Sequence, residues 1–127
     1  MFQDNLTGSW WLQTGDEVIG YWPGNILTSL MKSARYIHWG GEVGTDAYLK
    51  KTTEMGSGHL PSEGLRKASY VRSMGYVNEY GFLRDPQELT LHVLNPAVYD
   101  ALVPYPGMKY FGVYMLFGGP GHCLPRK

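Results

Sequence analysis

The chain has 127 residues, which is enough for one domain built around a single hydrophobic core. Lysine and arginine together number 11, as do aspartate and glutamate, so the charge balance argues against nucleic acid and against an anionic membrane surface as partners. Seventeen glycines, ten tyrosines and four tryptophans are typical of pleated strands joined by tight turns, and they predict an all-β fold.

The first predicted elements are two strands at residues 9–13 and 18–22, both rich in aromatic and β-branched side chains. Residues 14–17 separate them, so we predict a hairpin with a four-residue connection. Because consecutive side chains of a strand point to opposite faces, one of Trp10 and Trp11 is expected in the core and the other along a groove. The groove would offer an aromatic wall to a proline or sugar ring, whereas simple packing is the structural alternative.

The pattern changes after residue 24. Apolar side chains fall on one helical face behind a predicted Asn25 cap, which indicates a short helix of about two turns containing Ile26, Leu27, Leu30 and Met31. Alternation then returns at residues 35–39 and runs into Gly40 and Gly41, a pair that indicates a bulge or a close approach of other backbone.

Three further strands are predicted at residues 68–77, 89–93 and 110–117, and a turn at residues 78–81. Five or six strands and one short helix form an antiparallel, β-rich layer. That number of strands is small for a sandwich with both faces covered, so the chain is expected to be part of a larger sheet system.

The most distinctive stretch is residues 39–43, which hold Glu42 beside a tryptophan and two glycines. A catalytic carboxyl group needs a tightly shaped, partly dry setting that shifts its pKa toward its task. Acid–base hydrolysis by carboxyl groups normally takes two of them in contrasting environments. The nearest alternatives all lie in turn-like segments and form no recognisable dyad with Glu42, so general base, general acid and structural carboxylate all remain open. These alternatives are Asp16, Glu17, Glu54 and Glu63.

The remaining reactive side chains give no site by themselves. Four histidines are spread singly, at positions 38, 59, 92 and 122, so we predict no metal and no cofactor. Cys123 is the only cysteine, which rules out a disulfide within these residues. Asn5 begins an Asn-Leu-Thr glycosylation acceptor, which matters only in a secreted protein. No run has the length of a membrane span, and the chain as given shows no signal peptide.

Six blocks of this sequence resemble, in the same order, the C-terminal half of the neprosin domain. They are residues 7–13, 20–23, 39–43, 52–58, 63–70 and 117–121, so the resemblance spans nearly the whole chain. It implies an antiparallel β-sandwich of the neprosin type, of which residues 1–127 are expected to be an incomplete C-terminal portion. It further implies a secreted, extracellular plant peptidase of the glutamic class, acting on peptides that contain proline.

The family resemblance also assigns a role to Glu42. Two glutamates are thought to work together in the family, one activating water and the other serving as acid and stabiliser of the oxyanion. Glu42 matches the glutamate of the Trp-Gly-Gly-Glu block, while the other belongs to an earlier Glu-Ala-Gly-Trp context that these residues lack. Losing acid–base help typically costs roughly 10²–10⁴-fold in rate, so the isolated chain is expected to be inactive.

The missing strands would leave sheet edges and an apolar face open, so we expect a complementary chain or self-association. The expected substrate contacts are Trp11, Gln13, Tyr21, Trp22 and Trp39. The alternative function is a non-catalytic β-rich binding module, or the degenerate product of a truncated gene.

Two positions depart from the family pattern. Val98 stands where a cysteine is usual, so Cys123 is expected to have lost its disulfide partner. Glu54 stands where a glutamine is usual and adds a charge near the expected cleft, where it could disturb Glu42.

Overall fold

A computed structural model describes residues 1–44, 53–104 and 108–121. The chain divides into two compact units, residues 1–37 and residues 38–127. All strand pairs among the described residues are antiparallel, which confirms the all-β class; that the sheets belong to a sandwich stays a prediction. The strands are β1 (Phe2–Gln3), β2 (Trp10–Thr14), β3 (Glu17–Trp22), β4 (Ser69–Val71), β5 (Tyr76–Val77), β6 (Leu83–Arg84), β7 (Asp100–Leu102) and β8 (Met115–Gly118).

The first unit is a three-stranded sheet in the order β1-β2-β3, and its β2-β3 hairpin confirms the predicted one. The connection is tighter than predicted, because Thr14 already pairs with Glu17. Gly15 has a φ of 57°, the left-handed value that a two-residue hairpin turn requires at its first central position. The register shifts after Leu12, so that Ile19 is left unpaired as a bulge.

A single 3₁₀ turn, Thr28–Leu30, replaces the two-turn helix predicted behind Asn25. Side chains from the sheet donate hydrogen bonds to the carbonyl groups at the end of this turn. The indole Nε1 of Trp10 donates to the Leu30 carbonyl at 2.9 Å, and the amide of Gln3 donates to the Met31 carbonyl at 2.9 Å. These contacts satisfy backbone that would otherwise continue into a second helical turn.

The second unit contains a three-stranded sheet in the order β4-β8-β7 and the separate β5-β6 hairpin. In its central strand, Leu116 packs into a buried cluster with Ala68 and Tyr114. Alternation along the strand places Met115 and Phe117 on the opposite face. The sheet therefore has a core face and a second face that is available to other segments.

The long strand predicted at residues 68–77 is divided into β4 and β5. Ser73 interrupts it with a φ of 52°, a left-handed conformation that is uncommon outside glycine. The backbone N–H groups of Ser73 and Met74 donate instead to Phe111 and Val113, each at 2.9 Å. The predicted turn at residues 78–81 is confirmed by a 3.0 Å hydrogen bond from the Gly81 N–H to the Asn78 carbonyl.

Three further strand predictions were wrong in part or in full. Residues 35–39 and 89–93 are irregular, and the last predicted strand begins only at Met115 because residues 108–112 form a tight turn. Alternation fits a pleated surface, but a strand forms only where a neighbour supplies hydrogen bonds. The strands β1, β6 and β7 were missed, since each is too short for its alternation to be visible.

Candidate functional site

Residues 39–42, called here the glutamate segment, lie against the second face of the β4-β8-β7 sheet. A Cβ on Gly41 would lie 2.6 Å from Cε2 of Phe117 and 3.0 Å from Cγ of Met55. A Cβ on Gly40 would lie 4.0 Å from the methyl carbon of Met115. Neither the bulge nor the close approach of other backbone predicted for the glycine pair is seen. The atoms that approach Gly40 and Gly41 belong to the side chains of Met55, Met115 and Phe117.

Glu42 itself is exposed, and Trp39 is half-buried. The partly dry setting predicted for the carboxylate is therefore wrong for the chain as described. The reason is local, since Gly40 and Gly41 carry no side chains that could shield their neighbour. A carboxylate in contact with water has free access to a substrate, but it lacks the enclosure that enhances acid–base catalysis.

A glycine-rich turn at residues 53–58 holds Met55 beside the glutamate segment. Met55 and Gly119 exchange backbone hydrogen bonds of 3.0 and 3.4 Å. The N–H of Ser57 donates to the Ser69 hydroxyl at 2.8 Å, and the Ser57 hydroxyl donates to the Lys67 carbonyl at 2.6 Å. The turn is thus hydrogen-bonded to Gly119 through Met55, and to Lys67 and Ser69 through Ser57. These bonds hold Met55 in place.

Glu54 belongs to the same turn and is also exposed. Its carboxyl carbon would lie 3.1 Å from a Cβ placed on Gly58, so the side chain folds over that glycine. Its neighbour Met55 contacts Gly41, which places the additional charge in the region of the glutamate segment. An effect of Glu54 on Glu42 stays a prediction.

The histidine at position 59 has an acidic partner that the sequence analysis did not find. Nδ1 of His59 lies 3.0 Å from Oε2 of Glu63, the Leu60 N–H donates to Oε1 at 3.1 Å, and Nζ of Lys67 donates to Oε2 at 3.4 Å. The hydrogen bond with His59, followed by that from Leu60, holds the pKa of Glu63 below its ordinary value. The regular spacing of residues 59, 63 and 67 was the available signal. All three side chains are solvated, which is typical of a structural cluster.

The expected split of the paired tryptophans is confirmed. Trp10 is 8% exposed, while Trp11 is half-buried on the other face of the sheet and stacks on Tyr21 with ring centroids 4.7 Å apart. Phe2 pairs with Trp11 from the opposite side, so three rings stand side by side across three strands. We call Phe2, Trp11 and Tyr21 the aromatic row. Phe2 was not predicted as part of this row because β1 has only two residues, too few for a strand pattern.

The other predicted substrate contacts are placed differently. Gln13 donates its amide to the Gly15 carbonyl at 2.7 Å and so supports the hairpin turn. Trp22 pairs in register with Trp10 and therefore projects from the face opposite the aromatic row. Trp39 belongs to the second unit, beside Glu42. Of these five residues, Trp11 and Tyr21 are in direct contact within the first unit.

The glycosylation acceptor lies in an exposed turn before β2. Asn5 is exposed, and the neighbouring Asp4 accepts hydrogen bonds from the Thr7 hydroxyl at 2.7 Å and from the Leu6 N–H at 2.9 Å. These two bonds lower the pKa of Asp4, the hydroxyl contributing most. The turn is therefore well defined while Asn5 points into solvent.

His122 and Cys123 lie outside the described residues. Val98, which stands at the position where a cysteine is usual, is 7% exposed, and its carbonyl oxygen lies against Gly119. Within residues 1–44, 53–104 and 108–121, no three His, Cys, Asp or Glu side chains come close enough to share a metal ion. The same residues include no helix of the length and apolar character needed to cross a membrane.

A comparison with protein families accounts for this arrangement of sequence blocks. The family model described as Neprosin matches residues 1–120 of the 127-residue chain. This chain belongs to the Neprosin family. The match includes the aromatic row, the glutamate segment and the glycine-rich turn. Membership of the Neprosin family suggests a peptidase-like function.

Proposed function

We propose that this Neprosin domain forms part of a glutamic peptidase that cleaves peptide bonds near proline, with Glu42 as one of its two catalytic carboxylates. The observation that carries the proposal is the family match over residues 1–120, which contains the whole Trp-Gly-Gly-Glu block. The geometry is favourable, because the glutamate segment rests on a paired sheet while Glu42 stays exposed.

In the proposed reaction, one carboxylate takes a proton from a water molecule whose oxygen attacks the carbonyl carbon of the scissile bond. The other carboxyl group is protonated, donates a hydrogen bond to the developing oxyanion, and then gives its proton to the leaving nitrogen. The C–N bond breaks, and a carboxylic acid and an amine are released. Glu42 supplies one group, and the second comes from sequence outside residues 1–127.

The segment that supplies the second carboxylate is also proposed to bury Glu42, which is exposed in the chain described here. This segment would cover the glutamate segment and remove water from around both groups. Removing water strengthens the hydrogen bonds and the electrostatic interactions that stabilise the transition state. For this reason the residues described here are proposed to be inactive by themselves.

The aromatic row is proposed to receive the pyrrolidine ring of proline. Trp11 and Tyr21 form a stacked pair, and Tyr21 is 55% exposed, so apolar ring surface is available to a ligand. Trp39 is a second proposed substrate contact, because it adjoins Glu42. Gln13 and Trp22 are proposed to support the row from the same hairpin.

The exposed apolar side chains are a reason to propose a partner chain. Among the described residues, eight hydrophobic side chains are buried and 22 large ones are exposed, with Leu6 at 96% and Leu94 at 101%. Binding to another chain would cover part of this exposed apolar surface. We therefore propose a complementary chain, or a second copy, as partner, and an extracellular location in which Asn5 carries a glycan.

The test is cleavage of a proline-containing peptide at acidic pH by the purified chain. It is assayed alone and with a separately supplied neprosin-type N-terminal half that carries the Glu-Ala-Gly-Trp sequence. We expect cleavage only in the mixture, and a loss of roughly 10²–10⁴-fold in Glu42→Gln. The matched control is Glu79→Gln, which removes an exposed charge from the turn between β5 and β6. Absence of Glu42-dependent cleavage in both preparations overturns the proposal.

A second candidate function is a non-catalytic binding module, which the exposed aromatic row favours on its own. Titration of a proline-rich peptide and of an oligosaccharide against tryptophan fluorescence tests it. Binding is expected to quench or shift the emission of the intact chain, and Trp11→Ala should abolish the change. A flat response to both ligands counts against the module.

A further inference from the structure

We infer that Phe117 is a positioning residue for Glu42, because its ring determines where the backbone of Gly41 runs. The inference rests on the proposed catalytic role of Glu42 and adds a residue that acts indirectly. Phe117 acts through the glycine that directly precedes the glutamate.

The ring stands on the most constrained strand of its unit. Phe117 lies in β8, the central strand, where it pairs with Ser69 of β4 on one side and Ala101 of β7 on the other. Its backbone is therefore held by hydrogen-bonded neighbours at both edges. A ring on such a strand yields less to pressure than the end of a flexible side chain.

Two separate segments meet this ring at one edge. Cε2 of Phe117 lies 2.6 Å from where a Cβ on Gly41 would stand, and 3.6 Å from the same point on Gly56. Met55 limits Gly41 from another direction, with its Cγ 3.0 Å from the added atom. The backbone at residue 41 thus occupies a slot between an aromatic edge and a methionine stem, and only glycine fits it.

The requirement for glycine at position 41 comes from contact and not from conformation. Gly41 is absent from the residues with positive φ, whereas its neighbour Gly40 has a φ of 155°. Alanine is therefore acceptable to the backbone at position 41, and the Phe117 ring is the main obstacle. Removing the ring should make alanine tolerable, which is a specific expectation of this inference.

The consequence for Glu42 is one of placement. A displacement of about 1 Å at a reacting group can cost on the order of 10²-fold in rate. An alanine at position 41 has to move away from the ring, and the adjacent glutamate moves with it. Loss of the ring has the opposite effect and leaves the segment unsupported.

The experiment uses Gly41→Ala, Phe117→Val and the double variant in the full chain. Valine removes Cδ2 and Cε2 while keeping a residue that favours strands. The matched control is Gly44→Ala, since a Cβ on Gly44 meets nothing within 4 Å. The substrate assay is the complemented cleavage of a proline peptide, with kcat and KM measured separately.

We expect Gly41→Ala to lower kcat about 100-fold with little change in KM, and the double variant to recover at least about tenfold of that loss. Phe117→Val alone should lower kcat by less, and Gly44→Ala should leave both parameters unchanged. A double variant no faster than Gly41→Ala overturns the inference. Equal effects of Gly41→Ala and Gly44→Ala also overturn it.

A second measurement is independent of activity. Spin labels are attached at cysteines introduced at Glu42 and at the exposed Asp100 of β7, in a chain with Cys123→Ser, and their distance distribution is recorded. Gly41→Ala should broaden or shift the distribution, and adding Phe117→Val should restore its centre. A distance distribution that is the same with and without these two substitutions overturns the inference. If the distances change as expected while the unlabelled chain, which keeps Glu42, shows no complemented cleavage, the catalytic proposal is refuted and Phe117 is retained as the residue that places Glu42.

Discussion

The hairpin of the first unit and the glutamate segment of the second unit are held in place by different means. Trp11 and Tyr21 lie in adjacent antiparallel strands, pair directly and stack at 4.7 Å, so the hairpin arranges its own aromatic row. The glutamate segment lacks strand hydrogen bonds and rests on Phe117 and Met55, which are distant in sequence. The aromatic row is therefore local in origin, whereas the position of Glu42 depends on the tertiary structure.

Burial differs in the same way. Trp10 is the only large hydrophobic side chain among residues 1–37 that is buried, while the described part of the second unit buries seven hydrophobic residues. The first unit therefore depends on a single ring and its hydrogen bond to Leu30. Substitutions that remove this ring, or alter one turn, should therefore destabilise the first unit most.

The largest expected effect on stability is that of Trp10→Ala. Loss of a buried tryptophan typically costs about 3–5 kcal/mol, and here the Nε1 hydrogen bond is lost as well. We expect hydrogen exchange, followed by mass spectrometry, to show loss of protection across residues 1–37. Trp10→Phe is the control, since it keeps a ring and removes mainly the hydrogen bond, at about 1 kcal/mol. Unchanged protection in Trp10→Ala would contradict the role given to this side chain.

Glycine at the hairpin turn gives an intermediate effect. Gly15 has a φ of 57°, so Gly15→Ala should destabilise the hairpin by about 1–2 kcal/mol through backbone strain alone. Chemical denaturation measures the change. Gly20→Ala serves as the control, because Gly20 lies in the same hairpin with open space around it and an ordinary φ. If the two alanine variants are equally stable, the turn does not require a left-handed residue.

These two regions also show how far the sequence could predict the structure. The hairpin, the opposite placement of Trp10 and Trp11, and the turn at Asn78 follow from near neighbours in the chain, and all were predicted. The strand predicted at residues 35–39 does not form, because strand pairing depends on partners that the periodicity of the sequence does not identify. The role proposed for Glu42 came from family resemblance, while its exposure and the contact of Gly41 with Phe117 could only be seen in the fold.

The smallest effect is expected at Glu63, and it depends on pH. The pKa of Glu63 is lowered from an ordinary value of 4.5, mainly by its hydrogen bond with His59. A depressed pKa in the folded state adds stability above the unfolded pKa, and this contribution is lost as the pH falls through the folded value. The difference in Tm between the parent chain and Glu63→Gln should therefore be larger at pH 7 than at about pH 3. Glu79→Gln should give no such pH-dependent difference, and equal differences for Glu63→Gln at both pH values would contradict the account.

The central claim is that Glu42 is one carboxylate of a catalytic pair, and a pH–rate profile tests it most directly. The dependence of kcat/KM on pH is measured for the complemented assembly with a proline-containing peptide. Two carboxyl groups in complementary protonation states predict a bell-shaped profile, unchanged in Glu79→Gln and reduced to the background rate at every pH in Glu42→Gln. Cleavage by Glu42→Gln at the parental rate, with the parental profile, would contradict the claim.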